Sequence, residues 1–199
     1  MNSNKETLQT YEHHFQEYIN GTVQETSGFQ KEWLEYLLAF CEKDAAILEV
    51  GSAFGRDATF ISQQGFHSLI PTDAFDAAVT TLRERGFIAQ KLDLLDDGVV
   101  GRYDLIIASA VFLHFTESEL RTVLLKIAPA LAENGILGFS VKNGTGEEWS
   151  SEKVGAPRFF HYWTGDTLLP VLADCGYAVV DTRRTEDNKW LHMTCKAGE

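Results

Sequence analysis

The sequence predicts a three-layer α/β sandwich on a mostly parallel seven-stranded sheet whose last strand runs antiparallel. Three observations point there. From Ala45 onward, short apolar runs alternate with amphipathic segments, the pattern of successive β-α-β units. One of these runs leads straight from Val50 into Gly51, a tight turn and a helix. The last two apolar runs have only polar residues such as Asp187 and Asn188 between them, so they are expected to pair antiparallel.

Two helical patterns precede the first strand. Leu8, Tyr11, Phe15, Tyr18 and Ile19 recur at three-to-four spacing, as do Phe29, Trp33, Leu34, Leu37, Leu38 and Phe40, and breaker-rich residues 20–28 separate them. A helix ahead of the first strand meets a ligand cleft only if it lies over the strand C-termini. Residues 1–44 are therefore expected to cap the cleft, and 45–199 to form the core of the same single domain. Strands are expected at 46–50, 67–71, 87–90, 103–108, 136–141, 177–181 and 190–195. Between them, helices are expected at 55–64 and at 75–85, the second stopped by Gly86. The next helix opens at Thr116, which makes a capping box with Glu119. Leu120, Val123, Leu124, Ile127 and Leu131 form its stripe, and Asn134-Gly135 is expected to end it. The last helix starts between Thr164 and Thr167 and stops at Gly176; Pro170 favours the later start, because proline is tolerated only in the first turn.

A chain of 22.3 kDa with 44% hydrophobic and 23% charged residues is neither disordered nor a disulfide miniprotein. Its net charge of −12, with no basic patch, argues against nucleic acid and anionic membranes as partners. Cys41, Cys175 and Cys195 lie far apart and suit neither a disulfide framework nor a metal site. The six histidines show no ligand spacing, so no metal is expected. With neither a signal-like start nor an apolar stretch of membrane-spanning length, a cytoplasmic location is expected.

The chemistry concentrates in ILEVGSAFGRD, residues 47–57. Glycine at a strand exit lets backbone approach a ligand, and the helix behind it offers unpaired N–H groups. Asp73 follows about twenty residues later, at the end of the second strand, where a carboxylate can accept from ribose hydroxyls. Asp93 follows the third strand and can accept from an adenine amine, while Leu94 packs on the ring. The absence of G-x-G-x-x-G weakens a nicotinamide dehydrogenase reading.

With LEVGSAFGRD, PTDAF, KLDLLD and YDLIIASAVFLHF, the chain from Ile47 to about Val141 resembles the class I S-adenosylmethionine-dependent methyltransferases, whose fold is Rossmann-like. The resemblance implies S-adenosylmethionine as cofactor, held by Glu49, Gly51, Ser52, Ala53, Gly55, Arg56, Asp73, Ala74, Asp93, Leu94 and the loop Ser109, Ala110, Val111. It also implies an enzyme that moves a methyl group to an oxygen, nitrogen or sulfur of a small molecule. A non-catalytic binder of the same cofactor would keep the same residues. The family's acid-x-Gly-x-Gly-x-Gly loop is altered here, with Ala53 replacing the middle glycine.

At the acceptor end, His114 follows the fourth strand, either as a base or substrate contact or as a histidine satisfied in the core. Lys142 opens a polar loop, and Arg158, Phe159 and Tyr162 belong to the aromatic segment RFFHYW. Together with Tyr18 of the first helix they are expected to wall the acceptor, unless the aromatic segment is only a core edge.

Overall fold

The computed structural model describes residues 3–198. The chain opens with α1 (Ser3–His13), α2 (Phe15–Asn20) and α3 (Gly28–Leu38). Then follow β1 (Ile47–Val50), α4 (Arg56–Gln63), β2 (Leu69–Asp73), α5 (Asp76–Glu84), β3 (Gln90–Lys91), β4 (Tyr103–Ser109) and α6 (Glu117–Ile127). The last third holds β5 (Leu131–Lys142), β6 (Glu147–Ser150), β7 (Arg158–His161), α7 (Gly165–Asp174), β8 (Tyr177–Arg184) and β9 (Trp190–Ala197). Seven strands form one sheet in the order β3-β2-β1-β4-β5-β9-β8. β9 alone runs antiparallel to its neighbours β5 and β8.

The sheet is covered on both faces, so β4 reads as a continuous apolar run rather than an alternating one. Leu105 and Ile107 point to the layer of α3 and α4, where Trp33, Leu34, Leu37 and Ile61 are buried. Ile106 and Ala108 point the other way, to Leu120, Val123 and Leu124 of α6 and Leu168 and Leu172 of α7. α3 comes so close to the sheet that a Cβ on Gly138 of β5 would lie 2.4 Å from a Leu37 methyl.

Several expectations need correction. The first helical pattern is two helices, broken at His14. The second pattern, α3, does not cap the cleft: its stripe is spent on the sheet face, and only its first turn reaches the cleft. Capping falls to α1 and α2. α6 stops at Ile127 because Pro129 cannot continue it. Leu131 is therefore strand, and Asn134, at φ +65°, lies where the β4–β5 pairing shifts register. α7 takes the earlier start: Thr164 and Thr167 make a capping box, and the carbonyl that Pro170 leaves unbonded belongs to exposed Asp166. β2 runs to Asp73, and β3 is only two residues long. It pairs β2 from Thr72 onward, leaving Pro71 at a position where no ladder N–H is missed on that side.

The β6–β7 hairpin was not foreseen. It anchors α1: the Thr7 hydroxyl accepts from the Phe159 N–H at 2.9 Å, and the Thr10 hydroxyl donates to the Pro157 carbonyl at 2.8 Å. α1 and α2 thereby lie over the C-terminal ends of the strands, where Tyr11 and Tyr18 line the cleft. Among the described residues, no helix is long and apolar enough to cross a membrane.

Candidate functional site

The site begins where β1 ends. Gly51, Ala53 and Gly55 take φ values of +68°, +49° and +82°, winding the chain back so that Gly55 caps the N-terminus of α4. A Cβ on Gly51 would sit 2.4 Å from a Val111 methyl, so the turn and the loop after β4 touch only because this residue is glycine. Ala53 holds a left-handed conformation that costs an L-residue about 1–2 kcal/mol. Its N–H is tied to Asp73 Oδ2 at 2.8 Å, which offsets part of that cost.

Asp73 ends β2 and is buried. Its other oxygen accepts from the Ala74 N–H at 2.8 Å. Burial nevertheless pushes the carboxyl up to about 6, because the backbone donors offset only part of the lost hydration. Beyond β3, Asp93 Oδ1 accepts from the Leu95 N–H at 3.0 Å, and Leu94 is buried beside it.

Glu49, second from the end of β1, accepts from the Ser52 hydroxyl at 2.7 Å. Burial, and then the charge of Asp57, push it up to about 8. Arg56 forks onto Asp57 at 2.8 and 3.1 Å. Asp57 also accepts from Thr26 and Gln30, each at 2.7 Å. Gln30 reaches Ser109 Oγ at 3.0 Å, and the Ala110 N–H donates to Ser140 Oγ at 3.0 Å.

These groups line one cleft with two compartments. The first, about 90 Å³, is bordered by Asp73, Ala74, Asp93, Leu94, Val111, Tyr11 and His114. The second, about 360 Å³, is bordered by Glu49, Ser52, Arg56, Asp57, Lys153, Trp190 and His192. Tyr18, Gly51, Ala53, Ser109 and Ala110 belong to both. Of the expected cofactor residues, only Gly55 lines neither; a Cβ there would meet a Leu82 methyl at 2.8 Å, so its role is to let the turn pack on α5.

The expected acceptor residues are placed differently. His114 lines the smaller compartment, but both ring nitrogens are engaged within the protein. Nδ1 sits 2.6 Å from the Phe159 carbonyl, which can only accept, so Nδ1 carries the proton and Nε2 accepts from the Tyr11 hydroxyl at 3.0 Å. Burial lowers its pKa to about 4 and keeps it neutral. This is a clamp for α1 rather than a poised base. Arg158 is buried behind it, donating to the Tyr11 hydroxyl at 3.1 Å. Phe159 spends its N–H on Thr7 and its carbonyl on His114. The Lys142 ammonium sits 4.0 Å above the Phe160 ring, and the Tyr162 hydroxyl donates to Glu148. Of the five residues expected to wall the acceptor alongside His114, Tyr18 borders the cleft and the other four brace the hairpin that holds α1.

Sequence reasoning missed Phe29, Gln30, Asp57, Lys153, Trp190 and His192. Asp57 stood inside the turn segment and was legible there. Phe29, Gln30, Trp190 and His192 come together only through the placement of β9 beside β5 and of α3 over the sheet, and Lys153 arrives on the loop between β6 and β7. Among the described residues, no group of three or more His, Cys, Asp or Glu is placed to hold a metal ion.

Comparison with known proteins adds three findings. A family model described as a methyltransferase domain matches residues 12–182. No curated protein matches the sequence. Solved structures match over nearly the whole chain at low identity. The 1,6-didemethyltoxoflavin-N1-methyltransferase of Burkholderia thailandensis, solved with its substrate and S-adenosylhomocysteine, is 18% identical at a TM-score of 0.77, covering 100% of this chain and 92% of that one. The magnesium protoporphyrin IX methyltransferase of Synechocystis PCC 6803, solved with S-adenosylmethionine, is 13% identical at 0.75, covering 98% and 97%. The (4+2)-cyclase SpnF is 13% identical at 0.78, covering 99% and 97%, so this fold also hosts other reactions.

Proposed function

Since this chain belongs to the methyltransferase-domain family, we propose that it binds S-adenosylmethionine in the two-compartment cleft and methylates an oxygen, nitrogen or sulfur of a small molecule. The observation that carries the reading is the convergence of the Gly51 turn, Asp73 and Asp93 on one cavity at the C-terminal ends of β1, β2 and β3. The donor set fits such a cofactor. Both oxygens of Asp73 accept from backbone N–H groups, and the carboxylate keeps acceptor capacity for ribose hydroxyls. Asp93 can accept from an exocyclic amine, with Leu94, Phe75 and Phe115 supplying the apolar faces a purine needs. Glu49, Ser52 and the Arg56–Asp57 pair line the end suited to an amino-acid tail.

When bound, S-adenosylmethionine supplies a methyl group on a cationic sulfur, which needs no further activation. The protein's part is then to hold the acceptor in line and keep water out, effects worth several kcal/mol in a closed site. Tyr11 and Tyr18 cover the cleft from above, held there by the His114 and Thr7 anchors. The test is titration calorimetry. S-adenosylmethionine and S-adenosylhomocysteine should both bind at a single site, and NADH should not. Absence of heat from either sulfur nucleotide at millimolar concentration would remove the basis of the proposal.

A further inference from the structure

Resting on the methyltransferase reading, we infer that His192, rather than His114, receives the acceptor, in a chamber walled by Phe29 and Trp190 that suits a planar aromatic or heteroaromatic molecule presenting an O–H or N–H. The sheet order sets the geography. Asp73, Glu49, Ser109, Ser140 and His192 stand on β2, β1, β4, β5 and β9, which are successive neighbours across the sheet. At about 4.8 Å per strand, His192 lies on the order of 19 Å from Asp73, at the end of the cleft that a ribose-anchored cofactor leaves free.

The imidazole is built into that end. It is only 4% exposed, and its ring centroid lies 4.8 Å from those of both Phe29 and Trp33 on α3. Trp190, two residues earlier on β9, projects from the same face of the strand and lines the same cavity. The His192 ring has no hydrogen bond to any described group, and its Nδ1 is sealed in the protein without a partner. Since the ring nevertheless lines the 360 Å³ compartment, Nε2 is the nitrogen left to face it. This is the reverse of His114, whose two nitrogens are both engaged.

The charged groups nearby do not spoil the arrangement. Arg183, opposite His192 in the β8–β9 ladder, stacks on Tyr36 at 3.6 Å and donates to Asp181. Arg56 and Asp57 neutralise each other, Glu49 is bonded to Ser52, and the Lys153 ammonium lies 4.3 Å over the Tyr18 ring. Burial alone lowers the imidazole to about 4, leaving it neutral at pH 7 with one lone pair for a donor on the acceptor. A buried imidazole without a partner costs free energy, and a ligand hydroxyl or ring N–H recovers it, which gives the chamber its preference for such molecules over bare hydrocarbons.

The experiment uses the full chain saturated with S-adenosylhomocysteine, with 4-nitrophenol and benzimidazole as probes and toluene as the donor-free control. Calorimetry should show both probes binding and toluene binding more weakly. The ¹⁵N signals of the His192 ring should shift with each probe. His192→Phe should weaken both probes about tenfold, the loss of one hydrogen bond to a buried group, and His192→Gln should restore part of it. The affinity for S-adenosylhomocysteine should stay within twofold in both variants, which also shows that they fold. Equal probe binding by wild type and His192→Phe, or no probe binding to the S-adenosylhomocysteine complex, overturns the inference while leaving the cofactor reading intact. Failure of S-adenosylhomocysteine itself to bind overturns both.

Discussion

Asp73 shows how one side chain serves both the turn and the ligand. Burial raises its carboxyl from 3.8 to about 6, so the folded protein holds this proton more tightly than the unfolded chain does. Ionising it therefore costs stability, a cost present above about pH 6 and relieved as the pH falls towards 3.8. Ribose hydroxyls need the ionised form, so the affinity for S-adenosylmethionine should fall about tenfold per pH unit below 6. Calorimetry from pH 5 to pH 8 checks this, with Glu49→Gln as background to remove the second raised carboxyl in the cleft. Asp73→Asn should flatten the profile, and Asp73→Ala should weaken binding by about 1.5–3 kcal/mol, the range for a hydrogen bond to a charged group. An unchanged acid limb in Asp73→Asn would assign the proton elsewhere. Asp73 was legible in the sequence because its role follows from local spacing: a strand, a glycine turn and an acid one β-α-β unit later. The two histidines were not. The His114 nitrogens meet partners on α1 and β7 whereas the His192 ring meets the aromatic rings of α3, and no spacing along the chain encodes those contacts.

At the level of elements, Thr116–Glu119 was readable because a capping box is complete within four residues. The start of β5 was misread because an apolar stripe continued past Pro129, and the β6–β7 hairpin because its pairing joins Trp149 to Phe159 across an irregular loop. That hairpin explains why α1 stays over the cleft. Arg158 donates to Tyr11, Tyr11 donates to His114, and His114 donates to Phe159, a chain of three bonds joining α1, the loop after β4 and β7. His114→Ala would leave the Tyr11 O–H proton and the Phe159 carbonyl unpaired, and should lower stability by about 2–6 kcal/mol at ~1–3 kcal/mol per orphaned group. Urea titration measures it, and a loss under 1 kcal/mol would show that water replaces the imidazole. The connection at 21–27 is the looser end of the same cover. Thr22 borders the larger compartment and Thr26 bonds Asp57, so a ligand there should order the segment. Limited proteolysis between Asn20 and Gly28 should slow when S-adenosylhomocysteine is bound. Equal rates with confirmed binding would mean that the connection is fixed without ligand.

For the molecule as a whole, the N-terminal cover and the sheet should unfold together. The bonds that dock α1 link Thr7 to Phe159 and Thr10 to Pro157, so the first helix is held by the last third of the chain rather than by its sequence neighbours. The aromatic cluster beneath it, with Phe15, Phe54 and Phe75, takes its members from three separate segments, so none of it survives melting of the sheet. A cover that depends on the folded core, and a core whose ligand cleft the cover closes, make one cooperative unit. Scanning calorimetry should therefore show a single transition with an enthalpy of roughly 140 kcal/mol for 199 residues, at ~0.7 kcal/mol per residue. S-adenosylhomocysteine at about a hundred times its Kd adds about 2.7 kcal/mol by mass action, which raises Tm by roughly 5–11 °C for a chain of this size. It should move the whole peak. A ligand-insensitive low-temperature shoulder would reveal α1 and α2 melting as a separate, loosely docked element, and the single-unit account would fail.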